Sequence, residues 1–344
     1  MNKDKVVVNG YKTISWLLWK TPQWLTYPLA AIGGEVYYWL NRNHSHFADV
    51  NLQIVLGEPS INRRVRQIAR RSFRNYVKYM VDFLRQPHLS TQEIAALITS
   101  SGWNYIEEAQ THGKGVMLIS PHFGNWDGAA AVATAHGYNL SSVAKDFDPP
   151  ELNELLQGAR RSKGIKIYSL KDSMRGLVST LKANGMVVLL LDSPLQNEGI
   201  VVNFFGRPVR FAAGPGTLVY MTGAKVVLGY MARQPGNRTF YGCWEPVIEY
   251  ELTGERDHDI KAITQGIANE VEKLVRRHPD QWYMFHSIFL SDAEYAEYEK
   301  QQQSGKKARR AKANPRTTQE HGEVKPGDDK TLKAGQSEES KSSL

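Results

Sequence analysis

A histidine and an aspartate stand five positions apart in Ser120-Pro121-His122-Phe123-Gly124-Asn125-Trp126-Asp127, and they are the residue types that general-base chemistry needs. A carboxylate bonded to one imidazole nitrogen fixes the tautomer and leaves the other nitrogen to accept a proton. The spacing alone says little, because His44 with Asp49 and His88 with Glu93 repeat it in polar surroundings. Context separates His122 from those two. Val116 to Ile119 is a short apolar run that reads as a buried strand, Ser120-Pro121 ends it, and a small-residue helical run follows from Gly128 to Ala135. Residues five apart on one helix point well away from each other. His122 and Asp127 therefore meet only if His122 is still in the turn while Asp127 is in the first helical turn. Asp127 is also simply an acidic residue where a helix dipole favours one.

The surrounding elements must build that turn. Strand candidates are Val116–Ile119, Leu140–Ala144, Ile165–Tyr168, Val187–Leu191, Val226–Tyr230 and Thr239–Trp244. Helical runs fall between them at Gly128–Ala135, Glu151–Ser162, Ser173–Ala183 and Thr217–Met221, with a short helix at Thr91–Thr99 before and a long amphipathic one at His258–Arg277 after. This alternation predicts an α/β fold, a mixed and mostly parallel sheet flanked by helices. Asp192 ends one strand candidate, at the carboxyl edge where open α/β sheets carry their site residues. It would there support an arginine or contact a headgroup, or else cap the Ser193-Pro194 turn. Around Gly214, the run Ala212-Ala213-Gly214-Pro215-Gly216 lets backbone approach a ligand closely and is equally a good helix start. Phe204, Phe205, Gly206 and Phe211 either line an apolar groove or pack in the core. Arg276, Arg277 and His278 either touch a phosphate or satisfy the end of their helix.

The 344-residue chain can bury a sizeable core and carries a net charge of +8, which suits anionic partners. One cysteine, Cys243, excludes an internal disulfide framework, and no Cys/His cluster points to zinc. No clean signal peptide is visible. Residues 1–50 are rich in Trp, Tyr and Leu, but Lys20, Pro22, Gln23, Pro28 and Glu35 interrupt the apolar run. A bilayer-crossing helix needs about 20 apolar residues. Trp16, Trp19, Trp24, Tyr27, Tyr37, Tyr38 and Trp39 favour the headgroup region, so this segment reads as membrane-interfacial helices or as an aromatic core pair. Residues 60–86 form an amphipathic helix with Arg63, Arg64, Arg66, Arg70, Arg71, Arg74, Lys78 and Arg85, facing either anionic lipid or solvent. The α/β domain is expected to span 51–299, and 300–344 has the composition of a disordered polar tail.

Three blocks carry a resemblance. The Ser-Pro-His-Phe-Gly-Asn-Trp-Asp block resembles the His-x4-Asp signature of the lipid A biosynthesis acyltransferase family, within the broader glycerolipid and lysophospholipid acyltransferases. Val187-Val188-Leu189-Leu190-Leu191-Asp192, with Val202-Asn203-Phe204-Phe205-Gly206 and Ala213-Gly214-Pro215-Gly216, is similar to its middle region. Arg277-His278-Pro279-Asp280-Gln281-Trp282-Tyr283-Met284-Phe285 is similar to its C-terminal signature. The match runs from about Gly10 to Leu290, and its wording is closer to the phosphatidylinositol-mannoside acyltransferase branch.

The resemblance implies an O-acyltransferase at the cytoplasmic face of a membrane, peripheral or shallowly inserted, needing no metal or other cofactor. The donor would be acyl-CoA or acyl carrier protein, the acceptor a membrane glycolipid or phospholipid, and nucleic acid no partner. His122 would be the base, Asp127 its orienter, Arg160 or its neighbour Arg161 the family's arginine as an oxyanion or substrate contact (the pair is otherwise surface charge at a helix end), and Asp192 a supporting group. Asn125, Trp126, Phe205, Gly206, Gly214 and Arg277 would contact substrate. Where some relatives place an acid after Phe-Phe-Gly this chain has Arg207, so that role does not transfer. The tetrahedral oxyanion needs donors, and the turn after His122 is expected to offer backbone N–H groups beside the arginine. A non-catalytic basic membrane- or nucleic-acid-binding protein is the rival reading, without a recognised nucleic-acid motif. A serine hydrolase would need a Gly-x-Ser-x-Gly elbow, which is absent.

Overall fold

Four helices open the chain: α1 (Lys3–Lys20), α2 (Gln23–Leu40), α3 (Arg42–Leu56) and α4 (Arg63–Arg85). Side chains stop and start them. Asn41 caps α3 by accepting from His44 N, left-handed Gly57 closes it, and Asn62 caps α4 by accepting from Val65 N. The apolar face of α4 buries Val65, Ala69 and Phe73 completely. It lies so close to α2 that a Cβ on Gly34 would sit 2.6 Å from the Arg74 Cα. The computed structural model describes residues 3–170, 173–193, 199–236 and 238–301.

The alternating part follows: α5 (Thr91–Ala95), β1 (Ile98–Ser101), α6 (Trp103–Thr111), β2 (Val116–Ser120), α7 (Trp126–Ala135), β3 (Leu140–Ala144), α8 (Pro150–Arg161) and β4 (Ile165–Ser169). Then come α9 (Ser173–Lys182), β5 (Met186–Leu190), the antiparallel pair β6 (Ile200–Phe204) and β7 (Arg207–Phe211), α10 (Ala213–Thr222), β8 (Lys225–Arg233), β9 (Phe240–Val247) and α11 (Arg256–Arg277). The main sheet has the order β1-β9-β8-β2-β5-β3-β4. Strands β8, β2, β5, β3 and β4 are parallel, while β9 is antiparallel to β8 and carries β1 parallel to itself.

The mixed, mostly parallel sheet flanked by helices is the architecture that the alternation predicts. Side chains alternate between its faces. Val116 and Leu118 join a core with α6 and α7, whereas Met117 and Ile119 pack with α9, α10 and α11. The sequence reading differs from the fold in three places. The helix expected over Thr91–Thr99 stops at Ala95, since Ile98–Ser101 pairs in parallel with Phe240–Cys243 as an edge strand. The β6–β7 hairpin and α6 were not anticipated. Edge pairing across some 140 residues leaves no local pattern, and it overrides the propensity of a short segment.

The described residues up to Ser291 make one compact unit, and those beyond it, 292–301, are helical. The polar tail expected over 300–344 lies outside the described residues from 302 onward.

Gly34→Ala places a methyl against the α4 backbone. Overpacking of this kind costs about 1–3 kcal/mol, so thermal unfolding should show a lowered midpoint. An unchanged midpoint would contradict the close α2–α4 contact.

Candidate active site

The parallel register of β2 and β5 pairs Ser120 with Leu190. Two residues further along each strand stand His122 and Asp192. Sheet geometry therefore places an imidazole beside a carboxylate, although 70 residues separate them. Asp192 is completely buried and ringed by donors. The backbone N–H of His122 donates to both of its oxygens at 3.0 Å, His122 Nδ1 lies 2.7 Å from Oδ1, and Trp282 Nε1 donates to Oδ2 at 2.9 Å.

The segment after α11 locks this turn from outside. Tyr283 N donates to His122 O and Gly124 N donates to Gln281 O, each at 2.9 Å, which makes a small antiparallel bridge between Phe123 and Trp282. Gly124 is required there. Its φ is +55°, and a Cβ would sit 1.8 Å from Met231 O.

Burial opposes the charge of Asp192. The attraction of the His122 ring and the hydrogen bonds from His122 and Trp282 outweigh it and hold the carboxyl below its ordinary range. Burial likewise works against a charged His122. The charge and hydrogen bond of Asp192, with the field of Asp127, overcome this and raise the imidazole pKa. With Nδ1 committed to Asp192, Nε2 is the nitrogen left for chemistry, and 31% of the side-chain surface remains accessible.

Asp127 has a different task from the one its spacing implies. Among the described residues no hydrogen bond joins it to His122. From the first turn of α7 it points toward α4 and α8, where Oδ1 accepts from Arg160 Nε and Oδ2 from Tyr79 Oη, both at 2.8 Å. The direct His122–Asp127 dyad is therefore corrected: Asp192 holds the imidazole and Asp127 holds the arginine. The structure also separates the two arginines. Arg160 is bonded to Asp127 and Gln157, rides over the Phe83 ring and lines the cavity, while Arg161 pairs with Glu154 on the exposed side of α8.

A cavity of about 600 Å³ opens here, at the carboxyl edge of the sheet. From β2 the chain passes to α7 on one face, and from β5 it passes through the hairpin to α10 on the other. Adjacent strands whose connections part in this way leave a crevice between them. His122, Trp126, Asp127, Arg160, Lys145 and Gly214 contribute to its wall, and the remainder is mostly apolar.

The other expected contacts lie elsewhere. Asn125 is the cap of α7, its Oδ1 accepting from Gly128 N. Phe205 and Gly206 form the β6–β7 turn with positive φ at both, tied to α11 through Glu272 and covered by Arg276, and they do not line the cavity. Arg277 pairs with Glu245 over the Tyr230 ring, also away from it. The turn's N–H groups are largely committed: His122 N to Asp192, Gly124 N to Gln281 O and Asn125 N to Met231 O. This corrects the expectation that they face a substrate. Ser120 Oγ, by contrast, is buried in the cavity wall without a hydrogen-bond partner, and the sequence reading did not single it out. Tyr79 and Trp282 were missed too. Both lie in recognisable segments, but no spacing rule points from either to His122 or Asp127. Among the described residues no group of three or more His, Cys, Asp or Glu side chains could hold a metal ion.

Residues 7–291 match the family model described as bacterial lipid A biosynthesis acyltransferase. The chain belongs to that family. It is an acyltransferase of the lipid A and phosphatidylinositol mannoside type. It is 27% identical over 227 residues to the phosphatidylinositol mannoside acyltransferase of Mycobacterium tuberculosis strain CDC 1551, covering 64% of this chain and 70% of that one. It is 26% identical over 246 residues to the protein of the same name from Mycolicibacterium smegmatis, covering 70% and 78%. The lipid A biosynthesis acyltransferase of Haemophilus influenzae is 22% identical over 182 residues, covering 53% and 55%.

In this acyltransferase, Asp192→Asn removes the charge that raises the His122 pKa. If a neutral His122 is the base, wild-type kcat/KM falls as pH drops through that raised value. The acid limb of the variant should move to lower pH, and its plateau should fall by about 10²–10⁴-fold. An acid limb that stays in place would remove Asp192 as the partner governing the imidazole.

Proposed function

We propose that the enzyme transfers a fatty acyl chain from the thioester of acyl-CoA or acyl carrier protein to a hydroxyl of a membrane glycolipid or phospholipid. The observation that carries this reading is an accessible imidazole, backed by a buried carboxylate, at the mouth of a largely apolar 600 Å³ cavity. Such a cavity suits an alkyl chain. The phosphatidylinositol mannoside acyltransferases among its relatives favour an acceptor of that kind, a glycosylated anionic phospholipid.

His122 Nε2 takes the proton of the acceptor hydroxyl as its oxygen bonds to the thioester carbonyl carbon. The tetrahedral oxyanion forms near Arg160, which is held by Asp127, itself bonded to Tyr79, and Ser120 Oγ is a second donor in the wall. The C–S bond then breaks, His122 returns its proton to the leaving thiolate, and the products are an ester and a free thiol. No acyl-enzyme and no cofactor enter this route. Asp192 orients the base throughout.

Exposed apolar side chains on α1 (Val6, Val7, Ile14, Trp16, Leu17) and α2 (Trp24, Leu25, Leu29, Ile32) support a seat in the membrane interface, and the resemblance to the family favours the cytoplasmic face. No helix among the described residues is long and apolar enough to cross a membrane. This reading makes 1–50 the interfacial part and 51–299 the catalytic domain.

Purified protein given radiolabelled palmitoyl-CoA and extracted membrane lipids should yield a labelled lipid, and His122→Ala should not. Equal labelling by both would remove His122 as the base. Trp24→Glu with Ile32→Glu should cut co-sedimentation with anionic phospholipid vesicles at least tenfold. Undiminished sedimentation would rule out the α2 face as the seat.

A further inference from the structure

Helix α1 meets the protein along one narrow face. Val8, Tyr11, Ser15 and Leu18 recur at steps of three and four, and α1 packs on α4 and α8. Polar bonds fix its position there. Ser15 Oγ donates to Leu84 O at 2.6 Å, Arg85 Nη1 donates to Leu18 O and Thr21 O at 3.0 Å, and Lys12 pairs with Glu151 of α8 at 2.9 Å. Val6, Val7, Ile14 and Leu17 lie off that face and stay exposed.

Tyr11 carries this face of α1 to the arginine of the site. Its hydroxyl is buried and has no hydrogen-bond partner. Burial raises the phenol pKa while the charge of Arg160 pulls against it, so the two groups stand close enough to interact. Arg160 lines the cavity and Tyr11 does not, which puts Tyr11 behind the arginine as seen from a substrate. A hydroxyl buried without a partner is costly, so no bond of its own explains this placing. What the side chain supplies is volume beside the guanidinium. The Arg160 side chain is only 19% exposed, and removing Tyr11 would let water reach it from this side. The field of a charge on a developing oxyanion weakens as the effective dielectric around it rises.

We propose that Tyr11 is a positioning residue for acyl transfer. It closes the Arg160 guanidinium off from water on the side away from substrate, so α1 belongs to the active site as well as to the membrane seat. This rests on the reading of Arg160 as the oxyanion contact. Loss of the cover should fall on kcat and spare KM, because Tyr11 touches no substrate. Loss of the hydroxyl alone breaks no hydrogen bond and should matter little.

The test is palmitoyl transfer from palmitoyl-CoA to extracted membrane lipids at saturating lipid. Wild type, Tyr11→Phe, Tyr11→Ala, Arg160→Gln and the Tyr11→Ala/Arg160→Gln double variant would be compared. Thermal unfolding and co-sedimentation with anionic phospholipid vesicles report whether each is folded and seated, and Tyr11→Val replaces Tyr11→Ala if it is not. Tyr11→Ala should lower kcat about tenfold, less than the 10²–10³-fold cost of losing an oxyanion donor, with KM for palmitoyl-CoA within about twofold. Tyr11→Phe should keep at least about a third of kcat, and the Tyr11→Ala penalty should vanish beside Arg160→Gln. An unchanged kcat in Tyr11→Ala overturns the proposal, as does a loss confined to KM or a Tyr11→Phe loss as large as that of Tyr11→Ala. An equal penalty with and without Arg160 shows a merely structural role and also overturns it. If folded Arg160→Gln transfers at the wild-type rate, the oxyanion reading fails and the proposal falls with it.

Discussion

A fully buried carboxylate with every nearby donor aimed at it is the constraint around which this acyltransferase is built. Removing an ionised carboxylate from water is costly unless hydrogen bonds and opposite charge replace the lost hydration. Asp192 meets that condition with the backbone N–H and ring of His122 and the indole N–H of Trp282. Each donor requires a separate part of the fold. The register of β2 and β5 brings His122 alongside, and the bridge between Phe123 and Trp282 delivers the indole. The interaction that tunes the base thus also ties the segment after α11 to the centre of the sheet.

A second buried ion pair does for the positive side of the site what Asp192 does for the basic side. Asp127 accepts from Arg160 on α8 and from Tyr79 on α4, so α4, α7 and α8 converge on one carboxylate. A guanidinium held on two edges keeps its orientation when the surroundings change, which is what a preorganised donor for a developing oxyanion needs. Through Tyr79 this arrangement rests on the helical layer that also carries α2. Packing of the aromatic N-terminal helices is in this way connected to the geometry of the arginine.

The space between these two pairs follows from chain topology. The connections leaving β2 and β5 go to opposite faces, and the gap at the sheet edge continues inward because α7 is built from small residues. A helix of leucines at these positions would fill it at the density of an ordinary core. The alanine run therefore keeps volume open beside the imidazole, while the surrounding elements stay closely packed.

His122, Asp192 and Arg160 are all legible as candidates in the chain, and most strands and helices of the sheet are found within a few residues of their observed ends. These follow from local physics: apolar runs ended by Ser-Pro or Asp, and amphipathic periods. The pairings are not local. Spacing favours Asp127 as the partner of His122, but one turn of helix carries it to Arg160, and parallel strand register brings Asp192 to the imidazole instead. Phe205 and Gly206 look like groove residues by composition, yet they form a hairpin turn against α11 because positive φ at both positions is what a two-residue connection demands. The sequence by itself determined the fold class and the chemical types present at the site. Which acid serves which base, and which wall is open, were decided by tertiary structure, since strand register and helix direction join residues that no sequence spacing relates.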